Sequence, residues 1–324
     1  MVKKTESKKT KSDKQSPEGK ARSTPTHRSC GALESYFNLV DRFPEFRFNQ
    51  ASIEGFTKTF MESGRAIART GIVTIPTVVH VVFRTEDENI SDSQIASQIT
   101  VLNKDFTATN LDVGNVPVPF NSLVGNPQIK FELVSRDPAG NAVNGITRTQ
   151  TDKASFGINN GVKSSATGGI EPWDTKKYLN IWVCTLRDNL LGYAQFPGGP
   201  RETDGVVILN TAFGTNGTAS DPFHKGRTTT HEVGHYLNLS HIWGESRIPN
   251  CEDSDFVNDT PNQFGPNTGK PVFPRLSCNN APNGDMFMNY MDYVDDEAMF
   301  MFTGEQVSRM QATLAGPRST LVSG

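Results

Sequence analysis

Three histidines within eleven residues constrain this chain more than any other feature of its sequence. His231 and His235 are four residues apart, so on an α-helix they lie on one face and can offer two imidazole nitrogens to one ion. His241 can reach the same ion only if the helix ends and the chain turns sharply. Asn238 tolerates the left-handed backbone conformation that ends helices, and it is the expected site of that turn. The spacing therefore predicts a zinc site with three protein ligands and one open position.

Glu232, beside the first histidine, indicates a reactive site. A structural zinc takes a fourth protein ligand and needs no base, whereas a catalytic zinc keeps one position open. A carboxylate here can accept a proton from a water that zinc has made more acidic, and that water can attack a carbonyl. Two other interpretations remain open. One is a helix whose histidines are simply hydrogen-bonded, and the other is a zinc-binding protein without turnover.

The composition is that of a globular protein with an acidic body. The chain has 324 residues, of which 35% are hydrophobic and 21% charged, enough for one large domain or two smaller ones. It has no apolar run of about 18 residues, which argues against a transmembrane helix and a membrane partner. Residues 1–30 carry nine Lys or Arg and three acidic residues, which is a charge of +6. The net charge of the whole chain is -3, so the remaining residues together carry -9. That balance does not favour nucleic acid as the main partner.

The first 26 residues form a basic head. Residues 1–26 are rich in Lys, Ser and Thr and contain no aromatic side chain, which is typical of a disordered tail. A surface-binding arm is the alternative. The segment also lacks the apolar stretch of a signal peptide.

Regular structure is predicted from residue 72 onward. Runs rich in β-branched and apolar residues predict strands at 72–84, 128–135, 178–186 and 204–209. Helices are expected from Ser91, near Thr228, and from Thr303 to about Leu314. Residues 249–283 are rich in Pro, Gly, Asn and Asp and predict an irregular segment.

The sequence of residues 231–241, HEVGHYLNLSH, resembles the metzincin clan of metallopeptidases. Their second mark is a methionine turn, and residues 289–293, NYMDY, provide one about 50 residues downstream. The flanking features resemble the pappalysin family; they are Gly234, Trp243, Cys251, residues 255–261 (DFVNDTP), Cys278, and residues 302–310. The resemblance covers roughly residues 72–315. It departs from most metzincins at Asn238, where those proteins have glycine.

The resemblance implies an α+β fold and an endopeptidase. The fold would combine a twisted mixed sheet, a zinc-binding active-site helix, an irregular lower subdomain and a C-terminal helix. Met291 would form an apolar floor under the zinc site, and the Tyr293 hydroxyl would stabilise the oxyanion. A core tyrosine is the alternative for Tyr293. Protein or peptide substrates would pair in extended form with a strand that begins near Gly192.

The four cysteines have different expected roles. Cys251 and Cys278 flank an irregular, proline-rich loop that needs a tether, so we expect a disulfide between them. Cys184 lies in a predicted buried strand and is expected to be an inert core thiol. Cys30 is expected to bind zinc in a latent form, as an N-terminal cysteine does in similar enzymes, although an unpaired surface thiol is the alternative.

This role for Cys30 divides the chain into three parts. Residues 1–26 would be the basic head, residues 27–64 a pro-segment, and residues 65–324 the catalytic domain. Activation would cut near residues 63–65. The protein would then bind its own pro-segment until the segment is removed.

Two acidic groups complete the expected site. An oxygen-rich set in the irregular loop suits structural calcium, with a solvated acidic loop as the alternative; it comprises Glu245, Asp253, Asp255, Asp259 and Thr260. Three aspartates lie near the methionine turn, and the family resemblance implies that one of them lines the pocket after the scissile bond and favours a basic residue, Arg, there; they are Asp292, Asp295 and Asp296. The sequence does not distinguish among these three.

Proteolysis and a disulfide favour a secreted or extracellular protein, whereas the missing signal peptide points the other way.

Overall fold

The computed structural model of the chain describes residues 25–64 and 71–322. The predicted basic head therefore lies outside the described residues except for Pro25 and Thr26, and Arg65 also lies outside them. The helices are α1 (Ala32–Arg42), α2 (Pro44–Glu62), α3 (Asp92–Asp105), α4 (Arg227–Tyr236) and α5 (Gly304–Ala315). The strands are β1 (Val73–Phe83), β2 (Ile129–Leu133), β3 (Ile146–Gln150), β4 (Leu179–Cys184), β5 (Gly192–Ala194), β6 (Val206–Leu209), β7 (Thr268–Gly269) and β8 (Tyr293–Val294).

The main sheet is built around β1. This strand has 11 residues, so β2 and β3 pair in succession along one of its edges, and β4 pairs along the other. These pairings and that of β4 with β6 are parallel, whereas β5 runs antiparallel to β6 at the edge of the sheet. The sheet is therefore mixed, as expected.

Both faces of the sheet are covered, which explains why its central strands are apolar throughout. Successive side chains of a strand point to opposite faces, and those of β4 enter two separate cores. Ile181 and Val183 belong to the larger core, which also contains apolar side chains of α3 and α4. Trp182 and Cys184 belong to the second core. Cys184 is fully buried and unpaired, which confirms the expected core thiol.

The segment between α4 and α5 is irregular. Its only regular pieces are the two-residue strands β7 and β8 and a short 3-10 turn. The disulfide predicted between Cys251 and Cys278 is present and spans 27 residues. Below it, α5 begins at a capping box in which Thr303 accepts from the Gln306 backbone and the Gln306 side chain accepts from the Thr303 backbone. The irregular lower half and the C-terminal helix thus match the expectation.

The N-terminal segment, residues 25–64, packs against the edge strand β5 and the C-terminal helix α5. α1 contacts β5, and α2 contacts α5. A small core joins the segment to the body, since Cys30, Leu39 and Phe46 pack with Phe196, the second residue after β5. Within residues 25–64 and 71–322, none of the helices has the length and apolar character needed to cross a membrane.

Candidate active site

The three predicted zinc-binding histidines converge at one point. The Nε2 atom of His235 lies 3.2 Å from that of His231 and 3.1 Å from that of His241. α4 ends at Tyr236, and Asn238 has φ of 71°, the left-handed conformation that turns the chain back towards His235. All three histidines are almost fully buried.

The hydrogen bonds of the histidines leave their converging nitrogens free to bind a cation. His231 Nδ1 lies 2.7 Å from the carbonyl oxygen of Tyr290, and His235 Nδ1 lies 2.7 Å from that of Leu239. A carbonyl can only accept, so these Nδ1 atoms carry the protons and each Nε2 presents a lone pair. His241 Nδ1 lies 2.9 Å from the Glu245 carboxylate, which accepts in the same way.

This donor set fits zinc. Lone pairs that face one another repel unless a cation lies between them. A tetrahedral zinc with Zn–N bonds of about 2.0–2.1 Å holds its nitrogen ligands roughly 3.3–3.4 Å apart, close to the separations here. Burial, followed by the neighbouring imidazoles, holds the pKa of His231 and of His235 well below the usual range, which favours the neutral form that binds metal.

Glu232 lies at the edge of this cluster. Its side chain is buried, and burial raises its pKa to about 8. Gly192 on β5 makes room for it, because a Cβ atom at that position would lie 2.9 Å from Glu232 Cγ. The glutamate is therefore enclosed between α4 and the edge strand, beside the three histidines.

Cys30 supplies a fourth potential ligand. Its Sγ and the nitrogens of the three histidines lie within 4.8 Å of one another. The thiol donates a hydrogen bond to Glu232 Oε2 over 3.4 Å, and burial, followed by the Glu232 charge, raises its pKa well above the usual range. Cys30 is held on β5, where the Leu191 N–H donates to Ser29 and the Gly31 N–H donates to Gly192. This pairing runs parallel to β5.

The methionine turn lies directly under α4. Met291 is fully buried, and a Cβ atom added to Gly234 would lie 2.4 Å from its Sδ. Gly234 therefore permits the close approach of α4 and the turn. Tyr293 extends from the same turn and donates from its hydroxyl to the Cys30 carbonyl oxygen at 3.4 Å. Its ring meets that of His241 edge-on, with centroids 5.0 Å apart.

The three candidate aspartates near this turn have different surroundings. Asp292 is buried and accepts hydrogen bonds from Gln263, Asn267 and Tyr293, so it holds the loop together. Asp295 is less buried, and its backbone N–H donates to Gly269. Asp296 alone among them pairs with a guanidinium in the described chain.

That guanidinium belongs to Arg28, two residues before Cys30. Arg28 Nη2 lies 2.6 Å from Asp296 Oδ1, Nη1 donates to Thr228 at 3.0 Å, and Nε donates to the Val294 carbonyl at 3.1 Å. Arg28 is only 4% exposed and Asp296 is fully buried. An arginine from the N-terminal segment thus fills a pocket whose base is an aspartate.

The five calcium candidates do not form one cluster. Glu245 accepts from both the backbone and the imidazole of His241, and Asp259 accepts from Thr303 and from the Glu305 backbone at the start of α5. Asp253 accepts from the Ser246 backbone N–H. Only Asp255 and Thr260 bond to each other, with the threonine hydroxyl 2.9 Å from both carboxylate oxygens.

Sequence reasoning missed three contributors to the site. Arg28 could have been predicted from the alternation of side chains in an extended segment. Residues two apart in such a segment lie on the same face, so Arg28 should lie on the same side as Cys30, which was already expected at the metal. Glu245 was grouped with the calcium candidates, although its spacing of four residues from His241 also suits a side-chain contact. Trp243 stacks on the His241 ring with centroids 4.6 Å apart, and no sequence signal assigned it that contact.

Comparison with known proteins agrees with this geometry. The family model for pregnancy-associated plasma protein-A matches residues 166–315. An extracellular metalloprotease of Arthroderma gypseum is 32% identical over 264 residues, which cover 78% of this chain and 78% of that protein. A promirolysin mutant from Tannerella forsythia is 45% identical with a TM-score of 0.84, covering 91% of this chain and 97% of the other. Mature mirolysin from the same organism, in complex with a cleaved peptide, is 50% identical with a TM-score of 0.77, covering 79% and 97%.

The curated relatives are named extracellular metalloproteases, these matches cover most of the chain, and the chain itself contains the histidine cluster described above. The protein is accordingly a zinc metalloendopeptidase, and the chain belongs to the pappalysin family of metzincins.

Proposed function

We propose that the protein hydrolyses peptide bonds at a zinc ion held by His231, His235 and His241, with Glu232 as general base. The observation that carries this proposal is the convergence of three buried Nε2 lone pairs beside an enclosed carboxylate. Zinc, when bound, supplies a Lewis acid that polarises a carbonyl and makes a water molecule more acidic. Glu232 takes the proton of the attacking water and passes it to the leaving amine.

Tyr293 is proposed to support the oxyanion. Its hydroxyl already donates to a carbonyl oxygen, that of Cys30, at the position where the N-terminal segment crosses the zinc cluster. A substrate carbonyl in the same place would accept the same hydrogen bond. A donor aimed at developing negative charge in a dry cleft stabilises the transition state more than the ground state.

The full chain is proposed to be latent. The Cys30 sulfur and one nitrogen of each of the three histidines lie within 4.8 Å of one another, and a thiolate in the fourth position on zinc would exclude the attacking water. α1 and α2 cover the cleft behind Cys30. The match to promirolysin covers 91% of this chain, whereas the match to mature mirolysin covers 79%, and this difference supports the presence of a pro-segment.

The proposed division of the chain into a head of residues 1–26, a pro-segment of 27–64 and a catalytic domain of 65–324 follows from this latency. α2 ends at Glu62, and β1 of the main sheet begins at Val73. Ser63 and Gly64 between them are exposed. A cut near residues 63–65 would therefore release α1 and α2 without breaking the sheet.

Asp296 is proposed to select a basic residue after the scissile bond. Arg28 acts as an internal stand-in for that residue, since its planar fork meets the buried carboxylate and two further acceptors. Placing an arginine after the bond in this pocket requires the substrate to run antiparallel to β5. The N-terminal segment runs parallel to β5. Its direction is therefore opposite to that of a substrate, and its own peptide bonds would lie in the reverse orientation at the zinc site.

Calcium is proposed at Asp255 and Thr260, the one pair of candidates in mutual contact. Asp255 is only 4% exposed and has no cationic partner among the described ion pairs. A buried carboxylate without a counter-ion is costly, and a hard cation would relieve that cost. We also propose that the protein acts outside the cell, because its relatives are named extracellular and it carries a disulfide.

The first test is cleavage of denatured casein by the zinc-loaded chain after processing, with and without 1,10-phenanthroline. We expect chelator-sensitive cleavage that Glu232→Gln abolishes and the exposed control Glu252→Gln leaves intact. Mass spectrometry of the product N-termini should find arginine enriched. Unprocessed Cys30→Ser chain should be active where the wild type is not. A folded chain that binds zinc and cleaves nothing would instead be a non-catalytic zinc-binding protein.

A further inference from the structure

A second buried arginine meets an acidic side chain of the N-terminal segment, away from the Asp296 pocket. Arg309 on α5 pairs with Glu54 on α2 through two parallel contacts, Nη1 to Oε1 and Nη2 to Oε2, both 2.8 Å long. The arginine side chain is 3% exposed, whereas that of the glutamate is 37% exposed. This is the two-pronged geometry by which arginine recognises a carboxylate.

The body of the protein holds Arg309 in place without help from Glu54. Its Nε and Nη2 atoms donate to the Asn238 carbonyl oxygen at 3.3 Å, and the guanidinium lies 5.4 Å from the centre of the Phe256 ring. Among the described residues, Glu54 is its one salt-bridge partner. Removal of residues 27–64 would therefore leave an oriented guanidinium with its outer N–H groups facing the cleft.

A cavity connects Arg309 with the surroundings of the zinc cluster. It has a volume of about 360 Å³, and its lining includes Leu33, Phe196, Glu245 and Arg309. Leu33 is three residues beyond Cys30, and Glu245 bonds directly to His241. The α1 and α2 side chains that close this cavity belong to the proposed pro-segment, so the cavity opens into the cleft when they leave.

The two arginine sites lie at opposite ends of α4. Arg28 contacts Thr228 in the first turn, and Arg309 contacts Asn238 just beyond the last turn. Ten residues of helix span about 15 Å, which an extended peptide covers in about four residues. If a basic residue after the scissile bond occupies the Asp296 pocket, Arg309 faces the substrate on the other side of the bond.

We propose that Arg309 forms an anion-binding subsite for an aspartate or glutamate of the substrate, three or four residues before the scissile bond. Glu54 occupies this subsite in the unprocessed chain. Phe196 and Phe256 line the same cavity as the Arg309 guanidinium, and apolar surroundings strengthen a charge-assisted pair. This proposal rests on the proposed function, because it uses the cleft and the substrate direction assigned there.

Peptide turnover tests the subsite in the enzyme obtained by processing the full chain. Peptides keep arginine after the scissile bond and carry Glu, Gln or Lys three or four residues before it. We expect kcat/KM about tenfold higher for Glu than for Gln, carried mainly by KM and reduced by salt, with Lys lowest. Equal cleavage of the Glu and Gln peptides would overturn the subsite, since turnover itself would show the cleft to be functional.

A second measurement does not depend on turnover. In full-length chain carrying Glu232→Gln, the rate at which a thiol reagent labels Cys30 reports opening of the N-terminal segment. Glu54→Gln should increase that rate about tenfold, whereas Glu62→Gln, an exposed residue on the same helix, should leave it unchanged. Equal rates for the two variants would mean that Arg309 does not recognise the carboxylate, whatever the peptides do.

Discussion

Replacing Arg28 by alanine should loosen the N-terminal segment, including Cys30, without altering the three histidines of the zinc cluster. The change removes a salt bridge of 2.6 Å and two further hydrogen bonds, and it leaves one oxygen of the buried Asp296 without its partner. Breaking a buried ion pair by removing one partner costs about 3–5 kcal/mol. The lower value is appropriate, because Asp296 also accepts from the backbone N–H groups of Lys225 and Arg227. About 3 kcal/mol corresponds to roughly a 100-fold increase in the open fraction.

Thiol labelling measures this directly in zinc-loaded full chain carrying Glu232→Gln, which removes the proposed general base so that the chain cannot cleave itself during the assay. The other free thiol, Cys184, is fully buried in the core, so labelling at early times reports Cys30. Cys30 in the Arg28→Ala variant should be labelled about 100-fold faster than in the parent chain. Arg28→Lys keeps the charge but lacks the planar guanidinium that contacts several acceptors at once, so its labelling rate should lie between those two. Arg42→Ala, on the exposed side of α1, is the matched control. If Arg28→Ala labels no faster than Arg42→Ala, the pocket does not hold the segment closed, and the reasoning fails.

Three further predictions concern the catalytic body. Replacing Cys251 and Cys278 by serine should lower the free energy of unfolding by about 3.5 kcal/mol, which is the loop-closure value for a loop of 27 residues. Urea titration measures this change, and a loss under about 1 kcal/mol would contradict the prediction. Asn238→Gly should retain zinc binding and stability, because φ at this position is 71° and the buried Asn238 Nδ2 has no hydrogen-bond partner. Asn238→Val should lower the free energy of unfolding by about 1–2 kcal/mol and speed the release of zinc to a chelator, because a β-branched residue disfavours positive φ. Burial lowers the pKa of Lys163 to about 7, so the unfolded state binds more protons between pH 7 and 10.5 and stability rises with pH across that window. Lys163→Met should therefore raise Tm more at pH 6 than at pH 9, and a pH-independent difference would refute this.

Local sequence patterns predicted those parts of the fold and of the site that depend on short-range geometry. His231 and His235 could be assigned to one metal because four residues of helix return a side chain to the same face. The same holds for the turn at Asn238, which needs only a residue that accepts positive φ. Strands such as β4 could be read from β-branched residues, and the tether between Cys251 and Cys278 from the irregular composition of the loop it closes. Each of these inferences uses neighbours along the chain.

Acidic residues show where local pattern stops being informative. Asp292, Asp295 and Asp296 lie within five residues and are equivalent in sequence, yet only one of them faces a guanidinium, and that guanidinium is 268 residues away. Glu245 was grouped with the calcium candidates, and the structure places its carboxylate against His241. The partner of a carboxylate is decided by which distant segment packs against it, and composition contains no such information.

Local sequence patterns therefore predicted the three histidines and the carboxylate beside them, because helix periodicity places these side chains within a few residues of one another. The class of fold was implied by the family resemblance. Only the tertiary structure decided the order of strands around β1 and the position of Cys30 beside ligands some 200 residues away. It also brought Arg28 to Asp296 and Glu54 to Arg309. These pairings join segments that are far apart in the chain, and they form only when burial of the apolar cores fixes the segments against one another.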